Sequence, residues 1–214
     1  MNKLLLKPAA KVLLFGLLLA PVVALVVGAF TNQLGANPAE RLIRETGEWT
    51  LRWLCLTLAV TPARQLTGWH ALARFRRMLG VGTFAYGALH FLAYGWLDMG
   101  LALDDIWRDI LKRPFILVGT AALLLMLPLA ATSFNRAIQA LGAKRWQTLH
   151  RSVYAVAGLA LLHFFWMRSA KQNFTEVAVY AAIVAALLGW RVWKRVQRRR
   201  QQRALKPAGG STPA

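Results

Sequence analysis

Long apolar runs alternate with short polar segments along the chain, and this pattern predicts a bundle of membrane-spanning helices. The clearest runs cover residues 12–30, 114–131 and 174–192. Two further runs, residues 78–97 and 148–167, contain histidines. A helix needs about 20 mostly apolar residues to cross a bilayer, and all five runs approach or reach that length. A soluble domain would instead show amphipathic helices around one core.

A sixth, shorter run extends from Trp49 to Val60 and ends at Thr61-Pro62. It contains Arg52 and follows a polar segment, residues 32–48, that is predicted as a loop. With this run the predicted fold is an all-α, polytopic membrane bundle of six transmembrane helices.

The distribution of charge predicts the orientation of these helices. Lys and Arg are concentrated at both termini and in the second and fourth connections, whereas the third connection carries Asp98, Asp104, Asp105 and Asp109. Because basic segments stay on the cytoplasmic side, both termini are predicted to be cytoplasmic. The net charge of +19 therefore follows from membrane topology and does not indicate a nucleic-acid-binding protein.

Three of the four histidines lie in the apolar runs. His90 is about 21 Å along the third helix from its basic edge, and His163 is about 20 Å beyond His150 on the fifth, at 1.5 Å per residue. His90 and His163 are therefore predicted to lie at one depth in the outer half of the membrane, and His150 near the inner edge. His70 lies in the basic second connection and is predicted to be solvated, not a ligand.

Two imidazoles from neighbouring helices at one depth match the axial ligands of a haem iron. Intramembrane histidines also occur in proton relays, so a proton-coupled transporter is an alternative, although no Asp or Glu lies in the middle of an apolar run. A metal site without haem is less favoured, because such sites use carboxylate or thiolate ligands and Cys55 is the only cysteine. On a straight helix, 13 residues separate His150 from His163 by about 140°, so the two need not serve one column of cofactors.

Several short motifs resemble those of one known family. They are Thr61-Pro62-Ala63-Arg64, Arg76-Arg77-Met78-Leu79-Gly80, Tyr86 to His90, Lys112-Arg113-Pro114-Phe115, Thr132-Ser133, Arg145-Trp146-Gln147-Thr148-Leu149-His150-Arg151 and His163-Phe164-Phe165-Trp166. With these motifs the chain resembles the haem-binding membrane subunits, called MsrQ, of bacterial protein-methionine-sulfoxide reductase systems, within the ferric reductase-like transmembrane group. The resemblance covers approximately residues 10–195.

This resemblance implies an electron-transfer subunit of the bacterial inner membrane, not an enzyme in its own right. It implies a ferric reductase-like haem-binding domain over residues 1–195, followed by a basic, disordered cytoplasmic tail over residues 196–214. By analogy, His90 and His163 ligate haem b, and His150 serves as a ligand or as part of a second, inner haem site. In related ferric reductases each of two haems is held by a pair of histidines, one from the third helix and one from the fifth. In this chain the third-helix position that would pair with His150 is occupied by Arg76. Arg76 could instead bind a haem propionate or a cofactor phosphate, so the chain holds one haem or two.

The implied partner is a periplasmic molybdopterin-containing methionine sulfoxide reductase, which performs the substrate chemistry. The implied electron donor is the quinone pool or a cytosolic flavin reductase, with FMN as a further possible cofactor. No segment resembles a soluble flavin or nicotinamide domain, so that domain is expected on a separate protein. A quinol-linked cytochrome b subunit of another oxidoreductase is the remaining alternative.

Overall fold

The computed structural model describes residues 2–169, 172 and 174–204, which form helices and connecting turns without any strand. This confirms the predicted all-α fold. In chain order the helices are α1 (Asn2–Leu6), α2 (Pro8–Phe30), α3 (Pro38–Thr67), α4 (Arg76–Ala93), α5 (Leu103–Lys112), α6 (Pro114–Ala131), α7 (Asn135–His150), α8 (Val153–Ser169) and α9 (Thr175–Ala204). A 3₁₀ segment, His70–Phe75, precedes α4, and a π-helical turn, Tyr94–Asp98, follows it.

The bundle has two chemically different ends. All eight acidic residues of the sequence belong to the beginning of α3, the segment between residues 98 and 109, or the beginning of α9. Ion pairs join Glu48, Arg168 and Glu176 there, and this side is called the acidic end. At the opposite, basic end, Arg77 donates to Asn135 and Trp190 donates to Gln65.

Three of the described helices are long and apolar enough to cross a membrane: Pro8–Phe30, Pro114–Ala131 and Thr175–Gln202. The other long helices are α3, α4 and α8. Charged residues lower the mean hydropathy of α3 and α4, and α8 has only 17 residues. The chain is thus a helical membrane protein, and each of the six predicted apolar runs overlaps one long helix.

Helix α3 differs from the prediction at both ends. The polar segment predicted as a loop is helical from Pro38, because the Asn37 side chain accepts a hydrogen bond from the Glu40 amide and caps the first turn. The helix also continues through Pro62 and ends only at Gly68, whose left-handed backbone (φ 68°) provides the C-cap. The predicted helix of residues 49–60 is therefore the middle of a 30-residue helix.

The predicted fifth helix, residues 148–167, is wrong at its start. Helix α7 ends at His150 and α8 begins at Val153, so His150 and His163 lie on different helices. Helix α7 is itself broken at Gly142, whose φ of 73° is not helical. The angular argument for a straight helix consequently does not apply to these histidines.

The last helix is longer than predicted, because α9 continues to Ala204 through the first part of the predicted tail. The rest of that tail, residues 205–214, lies outside the described residues.

The core lies between two pairs of packed helices, each of which is called a hairpin. Helix α3 packs along α4, and α6 packs along α8. Leu54, Leu58, Met126, Val156 and Ala157 are buried where these pairs meet. Each hairpin carries one of the two histidines that were predicted to lie at matching depth, so the packing of the hairpins decides how the histidines approach each other.

Candidate cofactor site

His90 on α4 and His163 on α8 face each other across the bundle. Their ring centroids are 6.1 Å apart, and the ring planes are inclined by 74°. The depth argument from the sequence thus brought together two residues that the structure places side by side.

Each imidazole is held by a backbone carbonyl of a neighbouring helix. Nδ1 of His90 lies 2.8 Å from the Ile43 oxygen, and Nδ1 of His163 lies 2.6 Å from the Phe115 oxygen. Because a carbonyl can only accept a hydrogen bond, both Nδ1 atoms donate. In a neutral ring the lone pair is then on Nε2, the state in which imidazole binds a metal.

Two helical glycines make these hydrogen bonds possible. A Cβ on Gly47 would lie 3.0 Å from Nδ1 of His90, and a Cβ on Gly119 would lie 2.8 Å from Nδ1 of His163. Each glycine follows the acceptor residue, Ile43 or Phe115, by four positions, one helical turn. Because glycine has no side chain, the imidazole can reach the carbonyl oxygen one turn earlier. The same arrangement occurs in both hairpins.

A cavity of about 450 Å³ surrounds the two imidazoles, and it is called the outer cavity. Apolar side chains dominate its walls, including Leu51, Phe91, Ile116, Leu123, Ala160 and Phe164. Thr120 Oγ1 and Arg168 Nε belong to lining residues and are buried without a hydrogen-bond partner. Such groups are costly without a bound partner.

The spacing of the two imidazoles fits a haem iron between them. Two metal–nitrogen bonds of about 2 Å, with about 1 Å from each nitrogen to its ring centre, give a centroid separation of about 6 Å. The observed separation is 6.1 Å. Histidine nitrogens are among the protein ligands that hold haem iron.

Cationic side chains line the outer cavity on the side of the acidic end. Arg168 pairs with Glu48 at 3.3 Å and with Glu176, and Arg113 pairs with Asp109 at 2.8 Å. Tyr94 donates to the same Asp109 at 2.6 Å and fixes that carboxylate. Guanidinium groups that line a cavity are suited to bind the carboxylates of a ligand whose body is apolar.

His150 lines a second cavity of about 320 Å³ nearer the basic end, which is called the inner cavity. Its ring stacks on Trp146 with centroids 3.8 Å apart, and its Nδ1 donates to the Trp146 carbonyl at 3.1 Å. Trp146 is anchored by its indole N–H, which donates to the Thr132 carbonyl. His150 Nε2 is buried without a partner, so its lone pair is free for a ligand.

Three arginines also line the inner cavity: Arg76, Arg77 and Arg191. Arg76 was predicted from the sequence, whereas Arg191 was missed because it was attributed to the basic flank of the last helix. Arg191 donates to the Leu58 carbonyl at 2.6 Å and lies over the Tyr154 ring. Its other terminal nitrogen, Nη1, is buried and has no partner. No second histidine lies among the described residues that line this cavity.

A thin wall separates the two cavities. Leu54, Met126 and Val156 line both of them, and all three are buried. The cavity of His150 therefore adjoins the cavity of His90 and His163, with these three side chains between them.

The central part of the chain, residues 46–161, matches the family model described as ferric reductase like transmembrane component. Three relatives are named protein-methionine-sulfoxide reductase heme-binding subunit MsrQ. The protein from Polaromonas naphthalenivorans is 64% identical over 192 residues, covering 90% of this chain and 88% of its own length. The protein from Ralstonia nicotianae is 51% identical (96% and 93% covered), and that from Azospira oryzae is 53% identical (88% and 81% covered).

The chain belongs to the MsrQ family. It is accordingly related to the haem-binding subunit of a methionine sulfoxide reductase system and carries a ferric reductase-like transmembrane domain. No solved structure matches the chain.

Most of the site lies within the part of this MsrQ-family chain that the ferric reductase model covers. Gly47, His90, Gly119 and His150 fall inside residues 46–161, whereas His163 lies two residues beyond. His70 is also inside the matched region, but it lines neither cavity and belongs to the surface of the basic end. The match therefore includes both hairpins without by itself assigning any ligand.

Proposed function

We propose that this MsrQ-family protein is a multi-pass b-type cytochrome of the bacterial inner membrane, with six spans and both termini in the cytoplasm. It would carry electrons outward to a periplasmic methionine sulfoxide reductase. The observation that carries the proposal is the pair His90 and His163, each with Nδ1 bonded to a carbonyl and Nε2 available. The basic end would then face the cytoplasm and the acidic end the periplasm.

In the outer cavity His90 and His163 would hold haem b, which supplies a one-electron couple when bound. The protein's own contributions are orientation and exclusion of water. The Ile43 and Phe115 carbonyls fix both rings and raise their basicity as ligands. The apolar walls lower the local polarity, and the arginines that line the cavity are placed to bind propionates.

The inner cavity would hold the group that receives electrons first. His150 offers one nitrogen ligand, and Arg76 and Arg191 offer positive charge. This set suits either a second haem, with a carboxylate on an arginine, or FMN, with its phosphate there. The donor would be quinol or a cytosolic flavin reductase. The inner cavity adjoins the outer cavity at Leu54, Met126 and Val156.

The partner would be a molybdopterin-containing reductase that carries out the substrate chemistry on oxidised periplasmic proteins. The membrane subunit would then be an electron-transfer subunit without a substrate site of its own. The alternative role, a quinol-linked cytochrome b subunit of another oxidoreductase, differs in its electron acceptor. Only the role proposed here requires that electrons reach methionine sulfoxide.

The decisive experiment is a spectroscopic titration of the purified protein. We expect a low-spin b-type spectrum that dithionite reduces, with one or two haems per chain by pyridine haemochrome assay. The reduced protein should be reoxidised by a methionine sulfoxide reductase and its substrate, but not by the substrate alone. Colourless protein from haem-replete cells would contradict the proposal.

We expect His150→Ala to impair electron transfer through the inner cavity without removing the haem of the outer cavity. The outer haem signal should persist, because His150 does not line the outer cavity. Reduction of that haem by quinol or flavin reductase should slow by about tenfold or more, the usual cost of removing a metal-site partner. Stopped-flow reduction at the absorption maximum measures this, with dithionite reduction as the control. Unchanged physiological reduction would exclude His150 from the path.

A further inference from the structure

A third cavity, of about 510 Å³, lies at the basic end between the last turn of α3 and the later turns of α9. It is separate from both cofactor cavities. Four basic side chains line it: Arg64, His70, Lys194 and Arg198. The remaining lining side chains are the amides of Gln65, Gln197 and Gln201, so the described lining contains no carboxylate.

The sequence of α9 builds one wall of this cavity by helical periodicity. Lys194, Gln197, Arg198 and Gln201 are spaced at i, i+3, i+4 and i+7, which places them on one face of the helix. The opposite wall is the end of α3, where the left-handed Gly68 turns the chain so that His70 also lines the space.

Aromatic contacts position the polar groups of this cavity. The Trp190 indole donates to Gln65 Oε1 at 2.9 Å, which leaves the amide N–H groups of Gln65 as donors. The Lys194 ammonium lies over Trp190 and Trp193, 5.2 and 4.7 Å from their ring centroids. The cavity is therefore a preformed set of donors and positive charges.

Among the described residues, no carboxylate side chain lines this cavity to balance these charges. All eight acidic residues of the sequence lie towards the opposite end of the bundle. Cations gathered around a concave space repel one another unless an anion from outside joins them. The cavity thus selects a compact anion that accepts several hydrogen bonds, which is the chemistry of a phosphate group.

The position of the cavity indicates where that phosphate comes from. Trp190 and Trp193 mark the point at which α9 leaves its apolar section, and tryptophans prefer the boundary between hydrocarbon and water. Arg198 lies eight residues beyond Trp190, about 12 Å along the helix. This is the depth of lipid headgroups, where basic pockets between helices bind anionic phospholipids.

We propose that this cavity binds the phosphate of an anionic phospholipid headgroup, with Arg64, Lys194 and Arg198 as its ligands. The site does not depend on haem or on the direction of electron transfer. It would fix the basic end of α9 against α3 at the membrane surface.

The test is lipid-dependent thermal stability of the full-length protein in a neutral detergent. Short-chain phosphatidylglycerol should raise Tm saturably, whereas phosphatidylcholine with the same chains should not. The variant Arg64→Gln/Lys194→Gln/Arg198→Gln should bind roughly a hundredfold more weakly, since each basic residue near an anionic surface is worth about fivefold in affinity. The matched control is Arg136→Gln/Lys144→Gln/Arg145→Gln, which removes three exposed charges from the same end but outside the cavity.

The readout is the change in Tm caused by lipid, so a lower starting Tm in a variant does not obscure it. Native mass spectrometry of the same samples provides a second readout by counting retained phosphatidylglycerol. Loss of the effect in the cavity variant alone supports the proposal. An unchanged effect in the cavity variant, or an equal loss in the control, overturns it. An equal stabilisation by inorganic phosphate overturns the lipid source and assigns the cavity to a soluble phosphate.

Discussion

Replacing His163 by alanine is expected to abolish the low-spin haem signal of the outer cavity. The variant loses one of the two facing nitrogen ligands, and the carbonyl of Phe115 loses its hydrogen-bond donor. His90→Ala should have the same effect, because the remaining imidazole cannot ligate both faces of the iron. Visible absorption and electron paramagnetic resonance of the purified variants measure the loss of haem, or its conversion to a high-spin form.

His70→Ala is the matched histidine control for this experiment. His70 lines neither cofactor cavity, so its variant should keep the complete low-spin spectrum. If His70→Ala lost haem while His90→Ala retained it, the assignment of the outer ligands would be wrong. Exogenous imidazole offers a further check, because it should partly restore the low-spin signal in the alanine variants.

The pairing of His90 with His163 was predictable because it depends on a rigid quantity. Helical rise is nearly constant, so the depth of His90 can be counted along α4 from Arg76. Most of the count for His163, from Val153 onwards, also runs along one helix, α8. The same reasoning placed His150 near the basic end, where it lines the inner cavity with Arg76. Depth along a helix is therefore accessible from sequence even when packing is not.

The direction in which each side chain points was not predictable in the same way. The break at Arg151 and Ser152 puts His150 at the end of α7, whereas the prediction included these two polar residues in one continuous helix. Helix α3 likewise runs through a polar segment, because the Asn37 cap and ion pairs such as Arg52 with Glu48 stabilise it there. The helix cap and the ion pairs therefore stabilise helix in a segment whose low hydropathy had predicted a loop.

Arg191 shows why a functional residue can escape sequence reasoning. An arginine at the end of an apolar run has the appearance of an ordinary membrane anchor. Only the packing of α9 against α3, where Arg191 donates to the Leu58 carbonyl, shows that it turns into a cavity. The two supporting glycines, Gly47 and Gly119, were missed for a similar reason, since glycines are common at any contact between membrane helices.

Substituting these glycines is expected to weaken haem binding without removing a ligand. In Gly119→Ala the new methyl would lie 2.8 Å from His163 Nδ1, and in Gly47→Ala it would lie 3.0 Å from His90 Nδ1. Either ring must move away from its carbonyl, so the hydrogen bond that fixes its tautomer is lost or lengthened. Loss of such a supporting bond costs about 10- to 100-fold in metal affinity. Haem titration of the apoprotein and the midpoint potential measure the effect.

Gly158→Ala is the control, because it lies on the same helix as His163 and its added methyl meets nothing within 4 Å. It should bind haem as the parent does, with a helix that is slightly more stable. Gly119→Val should bind haem more weakly than Gly119→Ala, since its two further methyl groups add bulk beside the His163 ring. If both glycine variants kept the parent's affinity and potential, the carbonyls of Ile43 and Phe115 would not be what orients the ligands. A graded loss at both positions would instead show that the two hairpins use one device, a glycine that exposes the preceding turn's carbonyl to an imidazole.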